Sequence, residues 1–220
     1  MPQDYAKAHR FYEKAAAAGH TLSMVTLGWL YKQGIGVAQD YGRAREWFEK
    51  AAAAGNGNGM CRLGELYEGG FGVAQDYGVA REWYEKAVGT GDSDAMVNLG
   101  WLYESGLGVS QDHARARQWY EKAIAEDNLK PAANLAAMLD EAKGGPADFR
   151  RAARLLLDGA KEDNQLILAN LRGDMKKWHQ RTRIELKREL VRLGHLKGPI
   201  DDRWDDGARA ALAKYLASKT

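Results

Sequence analysis

The chain has 220 residues, of which 45% are hydrophobic and 28% are charged, and its mean hydropathy is −0.55. This composition excludes disorder and membrane insertion as default states, and no apolar run approaches the length of a transmembrane helix. Because 32 Lys and Arg nearly balance 30 Asp and Glu, net charge does not favour nucleic acid as a partner.

Three markers recur at steps of 36 residues and define an internal repeat. They are Gln-Asp-Tyr or Gln-Asp-His at 3–5, 39–41, 75–77 and 111–113, Leu-Gly at 27–28, 63–64 and 99–100, and Gly-x-Gly-Val at 34–37, 70–73 and 106–109. Three markers in one register predict a repeat architecture, in which each unit packs only against its neighbours.

Within each unit the apolar spacing is helical, which predicts two helices joined by the glycine loop. In the first helix Leu27, Leu30 and Tyr31 form an i, i+3, i+4 core stripe. We expect Gly28 and its equivalents to allow close helix approach, the glycine after the first helix to be left-handed, and the Asp of Gln-Asp-Tyr to cap the second helix. The second helices are expected to bury a shared pattern of small and large residues: Ala44, Trp47, Phe48 and Ala51, then Ala80, Trp83, Tyr84 and Ala87, then Ala116, Trp119, Tyr120 and Ala123.

A fourth unit keeps the register but replaces the aromatic residues with aliphatic ones such as Leu155 and Leu156. A fifth first helix is expected over about 164–172, after which the pattern dissolves. Degenerate terminal units are typical of repeat proteins, because the last unit has a face toward solvent.

The N-terminal residues 3–18 align with a second helix, so the chain is expected to start in the middle of a repeat. Met1-Pro2-Gln3 stands where other units have Val-Ala-Gln or Val-Ser-Gln. Such a helix leaves an apolar face unpaired, which predicts either a piece of a longer protein or self-association through the open N-terminal end.

The combined pattern, Leu-Gly-x-Leu-Tyr, Gly-x-Gly-Val, Gln-Asp-Tyr and Ala-x-x-Trp-Tyr/Phe-x-Lys-Ala, resembles the Sel-one-like repeat family, a relative of the tetratricopeptide repeat. The resemblance implies an all-α fold, a right-handed α/α solenoid of 36-residue helix pairs over residues 1–172. It also implies a non-enzymatic scaffold, often bacterial, that binds a protein or peptide partner.

A solenoid of this class binds along the groove lined by its first helices. The positions expected to face that groove are those where the units differ from one another: Thr26, Trp29, Arg62, Glu65, Asn98, Trp101 and Asn134. Trp29 and Trp101 would then be the aromatic anchors. The alternative is that both rings pack between helices.

The C-terminal part begins with a basic stretch, in which residues 172–197 hold nine Lys and Arg against three Asp and Glu. We expect a basic connecting helix over 173–181. The order Leu-Gly-x-Leu-x-Gly-Pro-Ile-Asp and then Ala-Arg-Ala-Ala-Leu over 182–220 resembles the small peptidoglycan-binding-like helical module. Since about 40 residues rarely stabilise themselves, the module is expected to dock on the last solenoid helix.

That resemblance implies an alternative function, in which the chain is a cell-envelope module that binds peptidoglycan through His195, Trp204 and Arg209. However, Asp202 and the pair Trp204-Asp205 depart from the family's Gly and Phe-Gly, which favours a vestigial capping module. The expected location is the bacterial periplasm or envelope within an exported parent protein, with the cytoplasm as the alternative.

Chemistry-bearing patterns are weak throughout the chain. The five histidines lack metal-ligand spacing and no second cysteine accompanies Cys61, so no metal, cofactor or catalytic residue is predicted and the chain is not expected to be an enzyme. A cluster of basic residues leaves polyanion binding open, although charges on a solvated helix explain it as well: Lys176, Lys177, Arg181, Arg183, Lys187 and Arg188.

Overall fold

The computed structural model describes residues 5–218, with side chains from residue 7 onward; residues 1–4, which carry the first part of the expected N-terminal half-repeat, lie outside it. Every regular element in this range is a helix, which confirms the all-α expectation. The helices are α1 Tyr5–Ala17, α2 Thr21–Gln33, α3 Tyr41–Ala53, α4 Gly57–Gly69, α5 Tyr77–Val88, α6 Ser93–Ser105, α7 His113–Ala125, α8 Ala132–Asp140, α9 Phe149–Lys161, α10 Gln165–Arg172, α11 Gln180–Arg192 and α12 Asp206–Ala217.

The helix starts reproduce the 36-residue register of the sequence. First helices α2, α4 and α6 begin at Thr21, Gly57 and Ser93, and second helices α3, α5, α7 and α9 begin at Tyr41 and at each 36th residue after it. The chain divides into two compact units, one ending at Gln111 and the other beginning at Asp112. In the first unit each helix from α1 to α6 packs against the next.

The ends of the helices follow the expected signals. Gly34 has a φ of 69° and closes α2 with a left-handed residue, as Gly70 and Gly106 close α4 and α6. The Asp40 carboxylate accepts a hydrogen bond from the backbone N–H of Arg43, 2.9 Å away, and so caps α3. The equivalent aspartates cap α5, α7 and α9 in the same way.

The glycine inside each first helix allows the paired helix to approach closely. A Cβ at Gly28 would lie within 3.0 Å of three ring atoms of Phe48, and a Cβ at Gly64 would meet Tyr84 in the same way. Phe48 and Tyr84 are fully buried as a result. The ring occupies the space that a side chain on the first helix would need.

The tryptophans of the second helices are less buried than expected. Trp47 and Trp83 are half-buried on the outside of the core, and Trp119 in the second unit is half-buried as well. The ammonium of Lys50 lies 4.1 Å from the Trp47 ring, and the lysines three residues after Trp83 and Trp119 repeat this contact. These rings line the outer surface of the core, because the residue that follows each of them takes the buried position.

In the second unit, α8 and α9 keep the pairing with altered side chains. Ala136 and Leu156, both buried, stand where earlier units have a glycine and an aromatic residue. The smaller leucine leaves room for the alanine Cβ. Asn164 caps α10 by accepting from the N–H of Ile167, so the fifth first helix lies where the register predicts it.

The expected connecting helix over 173–181 is wrong, because most of this segment is a turn and α11 begins only at Gln180. Gly173 is extended and Met175 has a φ of 56°, which no helix accommodates. Met175 and Trp178 are buried, and the Arg183 guanidinium donates to the carbonyl oxygens of both. Burial of these two side chains and the carbonyl contacts stabilise the turn.

The two C-terminal helices pack on the preceding ones within the second unit, α11 against α9 and α12 against α10 and α11. The carboxylate of Asp140, at the end of α8, accepts from the backbone N–H of His179 and from the Thr182 hydroxyl, 2.5 Å away. The buried Glu189 of α11 lies 3.2 Å from the Arg154 guanidinium of α9. Polar contacts therefore hold much of this junction.

Candidate functional site

The expected groove positions of the first unit form one continuous surface on α2, α4 and α6. We call it the first-helix surface. It comprises the predicted residues Thr26, Trp29, Arg62, Glu65, Asn98 and Trp101, together with the residues one turn before Thr26, Arg62 and Asn98, which are Leu22, Asn58 and Asp94. Three contacts join its helices: Lys32 to Glu65 at 3.0 Å, Arg62 to Asp94 at 3.7 Å, and the Asn98 amide to the Cys61 sulfur at 3.7 Å. Asn134, the remaining predicted position, lies half-buried on α8 in the second unit.

The apolar part of the first-helix surface lies on α2. Leu22 is 61% exposed and Trp29, two turns later on the same face, is 43% exposed. Thr26 lies between them, and its hydroxyl donates to the carbonyl of Leu22 within the helix. A solvent-exposed tryptophan beside an exposed leucine is an apolar patch without a partner among the described residues.

The two predicted aromatic anchors, Trp29 and Trp101, differ in their exposure to solvent. Trp101 of α6 is half-buried, and its ring centroid lies 6.3 Å from that of Tyr77 on α5. Packing of this kind matches the alternative interpretation, in which the ring packs between helices. Only Trp29 has the exposure that contact with a partner requires.

A line of alternating charges crosses the surface. Glu65 receives hydrogen bonds from both Lys32 and Arg62. Arg62 also lies near Asp94, and its Nε donates to the Asn58 amide oxygen, 3.3 Å away. These side chains are only 15 to 27% exposed, so their positions are held by one another. The line gives the surface a defined pattern of donors and acceptors for a partner.

One turn beyond Glu65, the half-buried Glu68 accepts a hydrogen bond of 2.5 Å from the Tyr84 hydroxyl. Burial raises the pKa of Glu68, and the hydrogen bond from Tyr84 opposes this shift only in part. Burial also raises the pKa of the Cys61 thiol, which is fully enclosed and is therefore a core residue. The sequence reasoning missed Lys32 and Glu68, although both lie one turn after a predicted surface position.

The predicted glycan-binding residues take part in packing of the second unit. Trp204 is buried, and its indole N–H donates to the carbonyl of Leu171, 2.7 Å away. The Arg209 guanidinium donates to the carbonyls of Gly173 and Trp204, and the half-buried His195 ring meets Tyr215 edge to face at 5.6 Å. These contacts anchor α12, so the polar atoms of Trp204 and Arg209 are already in use.

The basic cluster of the sequence is divided in the structure. Lys187 is buried and donates to the Asp201 carboxylate at 2.7 Å, while Lys176 pairs with Asp174 at 2.8 Å. Arg181 and Arg188 remain exposed on α11. The cluster is therefore not one continuous basic face.

The described part of α1 exposes large apolar side chains. Phe11 is 73% exposed and Tyr12 lies at the surface, whereas Phe48, which holds the register position of Tyr12, is fully buried under α2. Self-association through this face stays a prediction. Among residues 5–218, no helix is long and apolar enough to cross a membrane, and no group of three or more histidine, cysteine or acidic residues is placed to hold a metal.

The repeats match the family model described as Sel1 repeat at residues 1–20, 22–56, 57–88, 93–128 and 132–164. The chain therefore belongs to the Sel1 repeat family, the Sel-one-like repeats, whose members generally act as protein-interaction scaffolds. This confirms the family and the solenoid fold class expected from the sequence.

Two solved bacterial structures are similar over nearly the whole chain. A Sel1 repeat protein from Oxalobacter formigenes has a TM-score of 0.72 and 26% identity, covering 97% of this chain and 79% of its own. The protective antigen c5321 of uropathogenic Escherichia coli, which displays the same repeat fold, has a TM-score of 0.68 and 28% identity over 99% of this chain. This chain spans about half of that antigen, 50%. A search of curated proteins finds no match.

Proposed function

We propose that the chain is a non-enzymatic scaffold that binds a peptide segment of a partner protein on the first-helix surface of its first unit. The observation that carries the proposal is the exposure of Trp29 and Leu22 beside an ordered line of charged side chains. Exposed aromatic residues next to positioned arginines are typical of binding hot spots, where a few side chains supply most of the affinity.

The arrangement suggests how a peptide would be oriented. An apolar side chain of the partner would cover Trp29 and Leu22 on α2, and the charged line from Lys32 to Asp94 would meet polar groups further along the segment. The fixed sequence of positive and negative groups would select one direction of binding and penalise like charges. The half-buried Trp101 would shape the far end of the surface rather than supply an anchor.

The test is a selection of random dodecapeptides displayed on phage against the full chain, followed by affinity measurements with the selected peptides. Trp29→Ala should weaken these peptides by about tenfold or more, as expected for loss of a hot-spot aromatic worth about 2 kcal/mol. The melting temperature should change little, since Trp29 lies at the surface and is 43% exposed.

Phe11→Ala on α1 is the matched control, because it also removes an exposed aromatic ring from the first unit. It should leave the affinity unchanged. The proposal fails if the selected peptides bind both variants equally, or if Trp29→Ala and Phe11→Ala weaken them to the same extent.

The peptidoglycan alternative has less support, because Trp204 and Arg209 serve the packing of α12. Sedimentation of the protein with insoluble peptidoglycan would favour that alternative. Recovery in the supernatant would favour the first-helix surface.

A further inference from the structure

A cavity of about 540 Å³ opens in the second unit, between the beginning of α9 and one face of α11. Its wall includes Phe149 and Arg150 from α9 and, from α11, Arg181, Ile184, Glu185 and Arg188. The α11 residues follow the i, i+3, i+4, i+7 spacing of a single helix face. None of them belongs to the first-helix surface.

The cavity has more guanidinium donors than carboxylate acceptors. Arg181 has no carboxylate within 4.0 Å in the part of the chain that the structure describes, and it lies over the Phe149 ring at 5.6 Å. Among the carboxylates of residues 7–218, Arg150 approaches only that of Glu189, at 3.8 Å, and this carboxylate is already held more closely by Arg154 and Arg192. Two arginines therefore face the cavity with donors available for a carboxylate.

The carboxylates at the rim are already engaged. Asp148 accepts from the N–H of Arg151 as the cap of α9, and Glu185 pairs with Arg188. The amide groups at the start of α9 are thus not what would bind a ligand. A ligand would meet the side chains of Arg150 and Arg181, together with the half-buried Ile184 and Phe149.

We propose that this cavity binds a short acidic peptide segment, in which a glutamate or aspartate pairs with Arg150 and Arg181 and an adjacent apolar side chain contacts Ile184. Planar guanidinium groups match the geometry of a carboxylate, and the apolar wall suits a neighbouring side chain. The proposal does not depend on the first-helix surface.

The same wall argues against a nucleic acid as the occupant. The Phe149 ring is stacked on His179, with centroids 4.7 Å apart, so it is engaged rather than offered to a base. His179 is itself held in place by its backbone N–H, which donates to Asp140 at 2.9 Å, so the wall is ordered before binding.

The test uses a fluorescein-labelled peptide of alternating glutamate pairs and leucines, with a glutamine-for-glutamate peptide as the neutral probe. Fluorescence polarisation with the full chain should show binding of the acidic peptide only. The double variant Arg150→Gln/Arg181→Gln should weaken it by about tenfold or more, because it removes both guanidinium groups that would pair with the carboxylate. Glu185→Gln should tighten binding by removing a negative charge.

The double variant Lys177→Gln/Lys197→Gln is the matched control, since it removes two exposed positive charges of the same unit that do not line the cavity. It should change the affinity less than twofold. The proposal is overturned if both double variants weaken the peptide equally, or if a single-stranded oligonucleotide binds more tightly and displaces it. Trp29→Ala should leave binding of the acidic peptide intact. Failure of the cavity proposal can therefore be distinguished from failure of the proposed function at the first-helix surface.

Discussion

The repeats of the first unit and the C-terminal helices of the second are held by different kinds of contact. In the first unit a glycine of one helix meets an aromatic ring of the next at Gly28 and Phe48, and the contact recurs 36 residues later at Gly64 and Tyr84. In the second unit α11 and α12 depend on buried polar groups, among them Lys187 and Glu189. Periodic apolar packing can be recognised from the sequence. An isolated polar network cannot, because it depends on which distant segments of the chain come together in the folded structure.

The largest expected effect concerns the C-terminal side of this comparison. Trp204→Ala should cost about 3 to 5 kcal/mol, because it removes a buried ring and leaves the carbonyl of Leu171 without its donor. Hydrogen exchange should show loss of protection in α11 and α12 while α2 to α5 keep theirs. Uniform loss throughout the chain would mean that the two regions are not separable. Leu166→Ala, at an exposed position, should have little effect.

A smaller effect is expected on the repeat side. Gly28→Ala should destabilise the first unit by about 1 to 3 kcal/mol, because the added Cβ overlaps the Phe48 ring. The double variant Gly28→Ala/Phe48→Leu copies the pair Ala136 and Leu156 of the fourth unit and should be more stable than the sum of the single variants predicts. Urea unfolding of the four proteins measures this coupling.

Gly42→Ala is the control for the glycine variant. Its Cβ would contact only the Asp40 carboxylate, and Ala114 holds the equivalent position. A change of no more than about 1 kcal/mol, in the stabilising direction, is expected from helix propensity. Equal destabilisation by both glycine variants would rule out the ring contact as the reason for Gly28.

The pH dependence of stability should have opposite signs in the two regions. The raised pKa of Glu68 means that the folded chain holds the proton on this carboxyl more strongly than the unfolded chain does. The contribution of Glu68 to the free energy of unfolding is therefore greatest in acid and is lost as pH rises above about 4. Hydrogen bonds from Lys187 and Arg203 lower the pKa of Asp201 to about 2, so its contribution is present above about pH 4 and is lost as pH falls toward 2.

Hydrogen exchange across this pH range, compared with Glu68→Gln and Asp201→Asn, measures both contributions separately. As pH rises, wild type should lose protection at α4 relative to Glu68→Gln. Over the same range it should gain protection at α11 relative to Asp201→Asn. The same sign at both helices would contradict the assignment of these carboxylates.

The smallest expected effect on stability is that of Trp29→Ala, within about 0.5 kcal/mol, since Trp29 lies at the surface and is 43% exposed. Trp101→Ala should cost more, because its ring packs near Tyr77. Thermal unfolding of the two variants checks the order. Equal losses would show that Trp29 is part of the core and would remove the basis of the first-helix surface.

Much of the fold could be predicted because its signals are local. The caps at Asp40, the left-handed Gly34 and the helical spacing of Leu27 and Leu30 act within a few residues of chain. The segment 173–181 was mispredicted as helix, because burial of Trp178 outweighs helix propensity there. No local signal marks a turn whose stability comes from tertiary contacts.

The candidate site was predicted in part. Register alone placed Trp29, Arg62 and Glu65 on one surface, since equivalent positions of stacked repeats face the same side. It could not separate the exposed Trp29 from the half-buried Trp101, because the difference arises from packing against Tyr77 on another helix.

The amino-acid sequence by itself determined the helices, their 36-residue register and the family, because the contacts within a repeat join residues that are close along the chain. Only the tertiary structure decided that Lys187 is buried beside Asp201 and that Arg150 and Arg181 share one cavity. These groups come from separate elements, and burial and charge balance are properties of the place where those elements meet.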